Sequence, residues 1–172
     1  GAASTRAGNV IGGGDWAIDR IIPDCIRAIK NNKPIQLRNP KSTRPWQHVL
    51  EPLAGYLLLA KKLYDNPKKW TGSWNFGPPS YEIRTVEEVS QIIINHFGKG
   101  SIETNVSEKQ LHEAHLLQLN CEKAHNLLGW HPRWSINESL KETALWYKKI
   151  MNGEDADKIT REQIHSYFKE TR

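Results

Sequence analysis

Proline and glycine divide this chain into pieces that only short strands and medium-length helices can fill. Pro23 falls near the start of an apolar series, Ile21, Ile22, Cys25, Ile26 and Ile29, that recurs at helical spacing. A first-turn proline costs little, because its missing N–H has no partner inside the helix. Pro52 opens a second helix through LAGYLLLAKKLY. The near-continuous apolar run there predicts burial on most sides, and Asp65, Asn66 and Pro67 close it. Pro34 to Leu37 reads as a short strand that turns at Asn39 and Pro40, and Trp74 to Gly77 as another, stopped by Pro78 and Pro79. Two capping boxes mark further helix starts. Thr85 with Glu88 heads Val86, Val89, Ile92, Ile93 and Phe97, with a stop at Gly98; Ser135 with Glu138 heads Ile136, Leu140, Ala144 and Tyr147. Asn120 caps a short helix ending at Gly129. A last helix is expected from Thr160, with Gln163 in the box position and Ile164, Tyr167 and Phe168 inward. At the front, Ser4 to Ile11 alternates as a strand running into Gly12-Gly13-Gly14. Helices dominate with short strands between them, so the fold class is mixed α/β.

No repeat, low-complexity tract or linker divides residues 1–172, which read as one unit. A chain of this length buries roughly 70% of its unfolded surface. The charge of +5 favours anionic ligands without choosing between a nucleic acid and a sugar diphosphate. Basic residues are not interleaved with aromatics on one readable helix and no nucleic-acid motif is present, so no nucleic-acid partner is expected. Cys25 and Cys121 are too few and too far apart for a disulfide framework and read as reduced thiols. No apolar run approaches a membrane span and the N-terminus lacks a signal pattern, so the expectation is a cytoplasmic protein with no membrane partner.

Several strings imitate catalytic motifs. Gly12-Gly13-Gly14-Asp15-Trp16-Ala17 fits G-x-G-x-x-A, but a dinucleotide fingerprint needs a helix opening at its last glycine and an acidic residue about 20 positions on. No Asp or Glu lies between Asp24 and Glu51. A sharp turn beside a ligand is the better reading. Tyr64 and Lys68 stand in a Tyr-x-x-x-Lys, whose chemistry requires both side chains on one helical face. Pro67 breaks that face. His112-Glu113-Ala114-His115 is one residue short of a zinc motif, so no metal is expected. No serine occupies a G-x-S-x-G.

Other segments carry a resemblance in consistent order from Arg6 to about Tyr147. Arg6-Ala-Gly-Asn9-Val-Ile-Gly12 is similar to the Arg-x-x-Asn-Val-(Tyr/Ile)-Gly strand of the extended short-chain dehydrogenases. The Gly-Gly-Gly-Asp15-Trp16 that follows, and Arg44-Pro-Trp-Gln-His-Val49, resemble the CDP-glucose dehydratase branch of that family. Arg20-Ile-Ile-Pro23 matches the start of a nucleotide-contacting helix, and Trp74-Asn75-Phe76-Gly77 the family's later (Tyr/Trp)-Asn-(Ile/Phe)-Gly strand. His115-Leu116-Leu117 stands where the family has Arg-x-Tyr, Asn120 stands for its usual aspartate, and Leu128-Gly129-Trp130-His131-Pro132 matches an architectural Leu-Gly-Trp-x-Pro.

The resemblance implies the C-terminal portion of a Rossmann-like extended short-chain dehydrogenase fold. That portion is mostly the substrate-binding subdomain, with a few strands and helices of the Rossmann lobe. It implies that Asn9, Asp15, Trp16, Arg20, Arg44 and His115 contact a CDP-sugar. An amide suits Asn9 because it donates and accepts at once, and the planar fork of Arg44 suits a diphosphate. Lys30, Arg38 and Lys41 are read as a solvated positive rim. The family oxidises the sugar at C4 with bound NAD, eliminates water across C5 and C6 and returns the hydride to C6, a step toward deoxysugars of O-antigen lipopolysaccharide. The catalytic residues and the NAD loop belong to the family's first half, which this sequence does not contain. The expectation is therefore no catalytic residue in this chain, no NAD binding by it alone and no turnover, with the complete lyase a homo-oligomer. Within the resemblance, an NDP-sugar epimerase, a GDP-mannose or dTDP-glucose dehydratase, and a non-catalytic nucleotide-sugar-binding module stay open.

Overall fold

The structure, a computed structural model, describes residues 1–104 and 117–169. The strand expected through the first residues is two strands with different partners. β1 (Ala3–Ala7) runs parallel to β6 (Gly72–Phe76), and β2 (Asn9–Ile11) runs parallel to β5 (Trp46–His48). Gly8 is the handover. Its N–H donates to the Phe76 carbonyl at 3.0 Å, and the next N–H, of Asn9, donates to the Pro45 carbonyl at 2.9 Å. A Cβ at position 8 would lie 2.3 Å from the Pro45 oxygen, so the crossing needs glycine. Two further pairs complete the described strands. β3 (Ile35–Leu37) is parallel to β8 (Ile102–Thr104), and β4 (Thr43–Arg44) is antiparallel to β7 (Arg84–Thr85). Pairs this small depend on helices packed against them.

Those helices are α1 (Ile21–Lys30), α2 (Leu50–Asp65), α3 (Pro67–Trp70), α4 (Val86–Phe97), α5 (Ile136–Met151) and α6 (Ala156–Lys169). Both capping boxes form, at Thr85/Glu88 and Ser135/Glu138. Asn120 accepts from the Glu122 N–H at 2.9 Å, ahead of a π-helical turn over Ala124–Leu128 that ends at left-handed Gly129. Asn66 leaves helical geometry at φ −149° and accepts from the Lys69 N–H. Tyr64 and Lys68 therefore sit in separate helices, and their motif has no shared face.

Two expectations need correction. α2 buries one stripe only, through Pro52, Gly55 and Leu59, and leaves Leu57 67% and Tyr64 90% exposed. An unbroken apolar run says that a helix can be covered on several sides, not that it is. α6 begins at Ala156 rather than Thr160, with Asp155 Oδ1 accepting from the Lys158 N–H at 2.8 Å. Its buried residues are Ile159, Gln163 and Tyr167, while Ile164 and Phe168 face outward. Two hydrogen bonds fix that rotation: Gln163 Nε2 donates to the Glu142 carbonyl at 2.7 Å, and the Tyr167 hydroxyl donates to Glu51 at 2.8 Å.

The larger core packs Ile22, Ile26, Ile93, Leu140 and Tyr147 between α1, α4 and α5. A second, rich in tryptophan, gathers Leu59, Trp70, Trp74, Phe76, Leu128 and Trp130 beside β6. Glu51, wholly buried, ties the pieces together. Its carboxylate accepts from the N–H groups of Arg133 and Trp134, each at 2.9 Å, and from the Tyr167 hydroxyl, while its carbonyl accepts from Trp130 Nε1 at 3.2 Å. Burial pushes this carboxyl above the ordinary range, and the hydrogen bonds from Trp134, Arg133 and Tyr167 pull against that shift.

Glu51→Ala leaves three donors, two of them buried, without their acceptor and is expected to cost on the order of 3–5 kcal/mol in denaturant unfolding. A second expectation concerns His48, which accepts from the Leu50 N–H at Nδ1 and is pushed down to about 4 by burial. A histidine held neutral in the fold leaves stability intact above its unfolded value of 6.5 and loses it as pH falls toward 4. The stability difference between wild type and His48→Gln should therefore shrink across that interval, by up to about 1.4 kcal/mol per pH unit. A constant difference would show an ordinary titration.

Candidate nucleotide-sugar site

A cavity of about 830 Å³ opens between the Gly12–Arg20 loop, the start of α1, β3 and Arg44. It collects residues from distant parts of the sequence because the β1–β2 handover at Gly8 carries the chain directly onto its wall. Asn9, Asp15, Arg20 and Arg44, four of the residues singled out from sequence, all line it. Trp16 does not. Its ring stands edge-on to Tyr147 with centroids 5.1 Å apart, and its carbonyl accepts from Arg27 at 2.9 Å. His115 lies outside the described residues.

Charge in the cavity is arranged as matched pairs beside an open helix end. Arg20 reaches Asp15 at 3.3 Å, and Arg38 reaches Asp19 at 2.6 Å. Asp19 holds φ +61°, a left-handed backbone that short polar residues tolerate best. α1 begins here, and no side chain caps its first turn. Ile21 and Ile22, at its first positions, line the cavity. The positive end of the helix dipole thus faces the space, in the arrangement that favours a phosphate. Arg44 is half-buried, donates to the Thr43 carbonyl at 2.8 Å and stands opposite Arg84 in the β4–β7 ladder. Arg44 thus brings a positive charge to the cavity wall, which favours an anion there.

Arg38, expected with Lys30 and Lys41 as a solvated positive rim, is exposed and also lines the cavity beside Gln36, whereas neither lysine lines it. The signal was available in β3, where Ile35 and Leu37 are buried and Gln36 and Arg38 therefore share the other face. Leu117, which stands where the family has a tyrosine, and Leu119, which no motif marked, supply an apolar wall.

The glycine-rich turn does not form a dinucleotide cradle. No helix opens at its last glycine, since α1 starts only at Ile21. The backbone of Gly13 lies against the Trp146 ring, where a Cβ would fall 2.1 Å from a ring carbon, so the closest approach is spent on an indole and not on a pyrophosphate. Asp15 and Asp19 add negative charge to the same turn. These residues do not fit NAD.

No family model matches the chain. It is 46% identical over 171 residues to the CDP-glucose 4,6-dehydratase of Salmonella typhimurium, a match covering 99% of this chain and 48% of that enzyme. It is 24% identical over 140 residues to the UDP-glucose 4-epimerase of Mycoplasma pneumoniae, covering 77% of this chain and 40% of that one. Among solved structures, dTDP-glucose 4,6-dehydratase from Bacillus anthracis, in complex with NAD, superposes with a TM-score of 0.72 at 23% identity, over 87% of this chain and 45% of its own. UDP-glucuronic acid 4-epimerase from Bacillus cereus superposes with a TM-score of 0.71 at 17% identity, over 85% and 45%. At such identities the structural likeness shows the fold alone. The chain spans about half the length of the curated relatives it matches. Sequence similarity along nearly its whole length and a shared mixed α/β fold make this chain a part-length member of the extended short-chain dehydrogenases, in their dehydratase and epimerase group.

Proposed function

We propose that this chain is the nucleotide-sugar-binding half of a CDP-glucose 4,6-dehydratase, a lyase that forms CDP-4-keto-6-deoxyglucose for deoxysugar synthesis. The observation that carries this reading is the cavity itself. It joins Asn9, Asp15, Arg20 and Arg44 with the uncapped start of α1, in a chain 46% identical to an enzyme of that name. A nucleoside diphosphate sugar needs an anion site flanked by polar and apolar walls, and the cavity offers both. In this reading Arg44 and the α1 terminus hold the diphosphate. Asn9 orients the sugar through one donor and one acceptor, and Asp15 and Arg20 line the sugar end. Trp16 acts from behind the loop. Binding and orientation are this chain's share of the reaction. NAD chemistry belongs to the part of the enzyme that this chain does not span, consistent with the poor fit of its glycine turn. The complete enzyme is, in this reading, a cytoplasmic homo-oligomer acting on a soluble substrate, and no helix among the described residues is long and apolar enough to cross a membrane.

The test is calorimetric titration of the chain with CDP-, dTDP-, GDP- and UDP-glucose. Saturable binding with CDP-glucose preferred supports the reading. Preference for UDP-glucose would favour an epimerase instead, and no binding of any of the four would end the proposal. Arg44→Ala should weaken CDP-glucose by about 2–4 kcal/mol, roughly 30- to 1000-fold in Kd, through loss of a charge-assisted pair. An unchanged Kd would move the diphosphate elsewhere in the cavity.

A further inference from the structure

Two of the side chains that hold the Gly12–Arg20 loop in place do not line the cavity. The Tyr147 hydroxyl, from the middle of α5, donates to the Asp15 carbonyl at 2.5 Å. Arg27, from the second turn of α1, donates from Nη1 to the Trp16 carbonyl at 2.9 Å and from Nη2 to the Ala17 carbonyl at 3.0 Å. Three consecutive loop carbonyls are therefore bound by side chains of two helices, where an ordinary surface loop leaves such groups to water. Tyr147 is wholly buried, and its ring also meets the edges of Trp16 and Trp146. Trp146 closes the assembly from below. It backs Gly13, and its Nε1 donates to Thr160 Oγ1 of α6 at 3.0 Å.

The consequence falls on Asp15 and Arg20, two of the loop residues that line the cavity. With its carbonyl fixed, Asp15 can accept from the Ala17 N–H through Oδ1 at 3.0 Å and from Arg20 through Oδ2 at 3.3 Å. Arg20 is the residue from which α1 starts, so the same helix that opens toward the ligand holds the loop leading into it through Arg27. We propose that Tyr147 and Arg27 are positioning residues for ligand binding, setting Asp15 and Arg20 through the carbonyls of residues 15–17. The ligand assignment rests on the nucleotide-sugar reading above; the loop anchoring rests on geometry alone.

Two buried tyrosine hydroxyls make an internal control. Tyr147 bonds the loop, whereas Tyr167 bonds Glu51, away from the cavity. Amide hydrogen exchange and calorimetric titration with CDP-glucose are measured on wild type, Tyr147→Phe, Tyr167→Phe and Arg27→Lys. Tyr147→Phe is expected to speed exchange across residues 12–20 at least about fivefold and to weaken CDP-glucose about tenfold, the scale of one lost buried hydrogen bond. Arg27→Lys, which keeps the charge but cannot span two carbonyls, should do the same, and it decides the matter if Tyr147→Phe fails to fold. Tyr167→Phe should speed exchange in α6 and leave both the loop and the Kd as in wild type. Loop exchange unchanged in Tyr147→Phe and Arg27→Lys, or equally changed in Tyr167→Phe, overturns the proposal. If wild type does not bind CDP-glucose while the loop still responds selectively, the nucleotide-sugar reading falls and the anchoring stands.

Discussion

A single buried carboxylate holds together elements that have little else in common. Glu51 sits in the first turn of α2, yet its oxygens are shared between the backbone after Pro132 and a tyrosine in the last helix. A charge taken out of water is tolerable only when it is well hydrogen-bonded, and three donors serve it here. The arrangement fixes where the tryptophan-rich core ends and how the C-terminal helix is rotated. Through α6 it also reaches α5, whose Trp146 is bonded to Thr160.

The cavity shows a different economy. Its acidic and basic side chains largely neutralise one another, Arg20 with Asp15 and Arg38 with Asp19. Both pairs are substantially exposed, so each contributes little to stability. They can exchange partners at small cost when an anion arrives. Beside them, on the same cavity wall, lie groups of another kind, the first peptide N–H groups of α1, whose dipole is permanent, and the guanidinium of Arg44. A permanent dipole beside adjustable ion pairs suits a ligand whose two ends differ in polarity.

Much of this is legible in the chain itself. Capping boxes and left-handed glycines are local chemistry, and the helices they bound at Thr85, Ser135 and Gly129 form as their residues require. Asn9, Arg20 and Arg44 were legible for another reason, since their motifs recur in order in a known family. What escaped was information held in pairing and facing. Nothing within Ser4 to Ile11 says that the strand changes partners at Gly8, because the cause is a carbonyl 37 positions further on, at Pro45. The exposed side of α2 and the rotation of α6 depend likewise on what lies across from them. Trp16 follows Asp15 in the same motif, yet its ring turns toward Tyr147 and it does not line the cavity.

The handover at Gly8 also has a mechanical meaning. Most binding residues are separated from the sheets that carry them by several loop bonds, which absorb small displacements. Here Ala7 is paired with Phe76 in one sheet and Asn9 with Trp46 in another, with one residue between. That residue is clamped at both of its peptide links. A sliding of β1 along β6 has no slack in which to dissipate and must arrive at Asn9 as a change of position or of tilt. The first pair of strands therefore works as a stiff lever on the cavity wall, and whatever loads that pair is felt at Asn9 on that wall.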